Sequence, residues 1–140
     1  MDNSIKTGQY LYNVLKDQPQ IIATVGNKIF PIVAKEGTTY PFIIYTRDQI
    51  SVQYTKIPGH DNTIIITYRV YSDNYDEALE IVNIVRNLLE RQTITFEDIK
   101  INDIRISSVG EFYNEDGFCQ TISFQMMVEW NIQIRHFLWV

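Results

Sequence analysis

From Phe118 to Ile134 the chain alternates as a long half-buried β-strand does. Phe118, Ile122, Phe124, Met126, Val128, Trp130, Ile132 and Ile134 share one parity, which only Gln120 interrupts. Cys119, Thr121, Ser123, Gln125, Met127, Glu129, Asn131, Gln133 and Arg135 share the other, which is mostly polar. Successive strand side chains point to opposite faces, so the pattern makes one apolar wall and one wet wall. The run exceeds the usual strand of roughly 5–6 residues and is expected to bend or to overshoot its own sheet. An overshooting strand has an unpaired edge, which is either blunted or given to a partner. The exposed parity, with Gln125 and Met127, is therefore a candidate subunit seam.

The other elements arrange themselves around this strand. A helix begins near Ser4 with an approximate apolar stripe of Ile5, Leu11, Tyr12 and Leu15, and Asp17-Gln18-Pro19 ends it. Pro19 opens a second short helical turn through Ala23, and Gly26 closes it in a left-handed cap. Pro31 marks Ile29–Val33 as an edge segment. Strands are expected from Phe42 to about Tyr54 and from Thr63 to Tyr71, joined by a turn at Lys56–Asp61 with Pro58-Gly59 as breaker. Asn74 and Glu77 have capping-box spacing. They open a helix to about Arg91 whose apolar face is Tyr75, Ala78, Ile81, Val82, Val85, Leu88 and Leu89. Thr93–Asp103 reads either as a short strand or as a buried loop. Ile104–Tyr113 reads as a strand with a bulge near Ser107-Ser108 and Gly110, and Asn114–Gly117 turns the chain into the long strand.

Helices and hairpins in this order make a single α+β domain over residues 1–140. Its expected core is a mostly antiparallel sheet of about four main strands with two helices packed on one face.

Charge and motif content narrow the function. The net charge of −5 leaves no basic excess to neutralise duplex DNA or an anionic membrane. No apolar run approaches the ~20 residues of a bilayer span, and the first residues lack the basic and apolar regions of a signal peptide. The single cysteine cannot form an internal disulfide, which fits a reducing cytoplasm. Cys119 with His60 or His136 is conceivable as a nucleophile and base. No nucleophile elbow or protease motif surrounds it, so an incidental thiol is the better account. The histidines and Cys119 have no zinc spacing, the acidic groups at Asp73–Glu77 and Glu115–Asp116 lack a calcium-loop series, and no phosphate-cradling glycine loop occurs. Neither enzyme chemistry nor any metal or cofactor is expected.

Two surface features remain. The Lys56–Asp61 tip, with Lys56, Pro58 and His60, is either a solvated loop or a contact for a partner or a passing nucleic acid. The end of the chain, Arg135-His136-Phe137-Leu138-Trp139-Val140, is unusually apolar for a tail. Phe137, Leu138 and Trp139 either complete their own core or reach a neighbour.

Val25-Gly26-Asn27-Lys28-Ile29-Phe30-Pro31, followed after a loop by Tyr40-Pro41-Phe42-Ile43-Ile44-Tyr45, resembles a motif of the tail-completion, or tail-terminator, proteins of long-tailed phages and prophages. Phe30 stands where tyrosine is common in that family. The later helix and closing hairpin match the family's layout, so the resemblance covers most of the chain in element order. It implies a virion subunit, made in the host cytoplasm, that forms a homo-oligomeric and usually hexameric ring at the head-proximal end of the tail. The partners it implies are the tail-tube protein and the head–tail connector proteins, with DNA only as cargo through the channel. A closed ring also removes sheet edges that would otherwise aggregate. The alternative, from another class, is a small ligand-binding or regulatory domain of ferredoxin-like character. That reading needs a pocket with converging polar groups.

Overall fold

The computed structural model describes residues 3–52 and 62–130. Six strands form one sheet in the order β1-β2-β3-β6-β5-β4. They are β1 (Ile29–Pro31), β2 (Phe42–Ser51), β3 (Asn62–Ser72), β4 (Ile94–Thr95), β5 (Ile99–Asn114) and β6 (Gly117–Trp130). The helices are α1 (Thr7–Leu15, preceded by a 3₁₀ turn at Asn3–Lys6), α2 (Pro19–Thr24) and α3 (Tyr75–Leu89). The expected four strands are thus six, and the sheet is mixed, because β1 pairs with β2 in parallel. The two extra strands are the short outer ones. Three and two residues are too few to carry a readable period of two.

The helices bury one face of the sheet. Leu11, Leu15, Ile21, Ile81, Val85 and Leu89 meet Ile43, Ile64, Ile66, Ile122, Phe124 and Val128 in one core. Tyr68 lies there too, its hydroxyl buried without a hydrogen-bond partner among the described residues. The local signals behave as their chemistry requires. Pro19 stands at the start of α2 and Gly26, at φ +63°, follows its end. Asn74 accepts from the Glu77 amide at 3.0 Å, but the Glu77 carboxylate reaches Ser72 Oγ (2.7 Å) instead of the Asn74 amide. That Ser72 hydroxyl in turn accepts from the Asn74 amide at 3.0 Å, so the box closes through an inserted hydroxyl. The helix ends at Leu89, two residues short of Arg91, which takes a left-handed φ of +64°.

Two apolar residues leave the stripes assigned to them. Ile5 is 50% exposed because its turn is 3₁₀, which rotates it out of the α1 periodicity; Tyr75 is 41% exposed at the first position of α3. In β5 the register slips between Asn102 and Arg105 and between Ile106 and Ser108, whereas Gly110 sits in register opposite Thr121. Bulges therefore fall beside Asp103, at φ +54°, and at Ser107, and not at Gly110.

The long strand has no free edge over most of its described length. From Phe118 to Val128, β6 lies between β3 and β5 and pairs with both. Its length is absorbed because β5, at 16 residues, is longer still. A long free edge belongs to β5. β4 pairs only with Lys100 and Ile101, so among the described residues no strand borders β5 from Arg105 to Asn114.

Candidate assembly interface

The sheet face away from the helices is organised in cross-strand rows. At the hairpin end, Phe112, Cys119, Tyr71 and Phe42 stand in register across four strands. Phe42, Tyr71 and Cys119 form a second small core, capped by Phe30, Ala34 and Ile44. The segment between β1 and β2 folds over this end. Cys119, on the parity that reads as wet, is therefore fully buried. Burial pushes its thiol pKa up to about 11, and burial followed by the Cys119 neighbour pushes Tyr71 up to about 12. A nucleophilic thiol needs the opposite shift, so the geometry opposes a catalytic Cys119.

A pH dependence follows. Unfolded Cys119 loses its proton near its ordinary value of 9.0, while the folded thiol keeps it to about 11. Above the lower value the folded state binds more protons, so stability falls as pH rises across that window. Denaturant titrations from pH 8 to pH 11 should show this loss, and Cys119→Ala should reduce it, most clearly between pH 9 and 10, below the range where the raised Tyr71 contributes. An unchanged slope in the variant would disprove the assignment.

Next along the same face lies a row of hydroxyls: Ser108, Ser123, Thr67 and Thr46. Thr67 bonds Ser123 Oγ at 2.7 Å and also donates to the Asp48 carboxylate, which accepts from Thr46 at 2.8 Å. Arg69 donates to Thr46 Oγ1 at 3.0 Å. Beyond this satisfied network come Gln125, exposed between Ile65 and Arg105, and Met127, half-buried between Thr63 and Asn102. These two candidate contacts share one open patch. Lys56, Pro58, His60, Phe137, Leu138 and Trp139 lie outside the described residues.

The β5 edge is the surface that sequence reasoning missed. Residues 107 to 116 are all exposed, including Val109 (68%), Phe112 (43%) and Tyr113 (70%). Glu111 is the one charge between Ser107 and Asn114, and it is tied down by Tyr75 Oη (2.6 Å) and Gln120 Nε2 (2.7 Å). Those two hydrogen bonds hold its carboxyl below the usual range. The edge thus offers free backbone groups and apolar side chains with little to repel another strand. The only sequence signal was the faltering alternation at Ser107–Gly110.

Among the described residues no group of His, Cys, Asp and Glu is placed to hold a metal. The depressions are open grooves. One of about 700 Å³ runs along Glu90, Arg91, Thr93 and Asn102–Ile106, where Arg105 pairs with Asp103 at 2.7 Å. Another, of about 480 Å³, lies between α3 and β5 against Leu79, Val82 and Val109.

The model of one family, tail completion protein gp17, matches residues 9–132. The chain belongs to that family. Members of the family are thus the frame for its surfaces, and the resemblance carried by residues 25–46 points the same way. A chain in the solved structure "Virion of native gene transfer agent (GTA) particle" has a similar fold, with a TM-score of 0.73 and 14% identity. The likeness covers 85% of this chain and 91% of that one. No curated protein matches the chain by sequence.

Proposed function

We propose that this protein is a structural subunit of virion assembly that closes the head-proximal end of a phage-type tail. In this reading, copies form a hexameric ring on the last ring of the tail tube, stop its growth, and offer the surface to which the connector of a filled head joins. The match to the tail completion family over residues 9–132 carries the proposal. The likeness in fold to a virion component supports it. So does a surface that offers sheet edges and open patches for macromolecular contact. No catalytic step enters the reading. DNA is cargo in the ring's channel, and the overall acidic charge keeps it from sticking. The patch of Gln125 and Met127, the Lys56–His60 tip and the Phe137–Trp139 segment are the proposed contacts with neighbouring copies or the tube.

The test is tube growth. Purified protein added to polymerising tail-tube subunits is expected to arrest elongation and yield short tubes with a ring at one end in negative-stain images. Tubes that elongate equally with and without it would overturn the proposal.

A further inference from the structure

The two ends of the sheet differ in charge and carry separate apolar patches. From Ser107 to Asp116 the free β5 edge and its turn carry three acidic side chains, Glu111, Glu115 and Asp116, and no basic one. Beside β1 runs an open groove of about 680 Å³ lined by Ile5, Tyr12, Pro31 and Ile32 together with Lys6 and Arg47, with no acidic side chain in its lining. At the far end the free β5 edge presents Val109 and Tyr113 and finishes in the acidic turn of Glu115 and Asp116.

Ile32 is the telling residue in the groove. It is 76% exposed and holds a left-handed φ of +68°. That backbone region is costly for a β-branched side chain. Neither solvation nor backbone preference favours isoleucine there, whereas contact with another apolar surface does.

We infer that copies of this chain join head to tail, the acidic, apolar β5 edge of one seated on the basic, apolar groove beside β1 of the next. The two patches are opposite in charge and lie at opposite ends of one sheet. The contact is therefore heterologous, the class that closes into rings, and not the self-complementary contact of a two-fold dimer. Opposite charge sets the direction and apolar burial holds the pair. This inference rests on the ring reading above and names the surfaces that build it.

Two double variants test it: V109K/Y113K on the edge and I5Q/I32Q in the groove. All four side chains are exposed, so melting curves should match the unaltered protein. Assembly is followed by sedimentation over a concentration series, and as copies bound per tube end with tail tubes present. Each variant alone should need at least about tenfold more protein to assemble. An equimolar mixture should give dimers and stop there, because one good edge meets one good groove once. Raising salt from about 0.1 to 0.5 M should weaken assembly of the unaltered protein. If either variant assembles as the unaltered protein does, or the mixture gives no dimer, the edge-to-groove contact is wrong while the ring reading stands. If the unaltered protein stays monomeric both alone and with tubes, the ring reading fails and this contact with it.

Discussion

Phe124→Ala should lower stability by about 3–5 kcal/mol, the range for emptying a large buried aromatic site. Phe124 is fully buried on β6, opposite Ile66 of β3 and Ile106 of β5. Its ring meets Tyr68 edge-on at 6.0 Å. A surface site could collapse around the deletion, but here both flanking strands are paired and α3 packs above, so most of the cavity persists. At about 3 °C per kcal/mol for a chain of this size, the midpoint should fall by roughly 10–15 °C. Denaturant melts with an unchanged slope would show that stability, and not compactness, has changed. A loss below about 1 kcal/mol would mean that the helical layer closes over the gap. Phe124→Leu, which keeps most of the volume, should cost far less.

The second large effect is at Gly117. It turns β5 into β6 at φ +99°, and a Cβ there would stand 2.7 Å from the Ser72 carbonyl oxygen and 3.0 Å from Tyr40 Oη. The tyrosine can move, but Ser72 is the last residue of β3 and supports the start of α3. Gly117→Val therefore combines a forbidden backbone region with a clash against main chain. A loss of roughly 3 kcal/mol is expected. The hairpin should splay at its turn and expose the Cys119 thiol beside it, so faster thiol labelling at pH 8 would accompany the loss. Unchanged labelling with a normal melt would show that the turn re-forms around the side chain. Because Glu115 and Asp116 share this turn, the variant should also assemble poorly under the head-to-tail arrangement.

The two variants probe different kinds of information. Gly117 and its turn could be read directly, since Asn114 Oδ1 accepts from the Asp116 amide at 2.8 Å and the glycine supplies the positive φ. Phe124 was placed on the apolar wall by parity alone. The same reasoning misjudged Cys119, because parity names a face and not what covers it. The segment between β1 and β2 covers that end of the open face, and nothing in the alternation of β6 announces a cover drawn from residues 30–44. Gln125 and Met127 escape it, so the wet wall is real only toward the far end of the strand.

The sequence by itself determined what depends on neighbours along the chain: helix starts at Pro19 and Asn74, the cap at Gly26, the closing turn, the parity of β6 and the family motif at residues 25–46. The tertiary structure alone decided that β5, and not β6, is left with a long free edge. That outcome is a difference in length between partners distant in sequence. β4 contributes two residues beside the sixteen of β5, whereas β6 lies between two long strands. A strand's periodicity reports its two faces, but its edges are settled only by what pairs alongside.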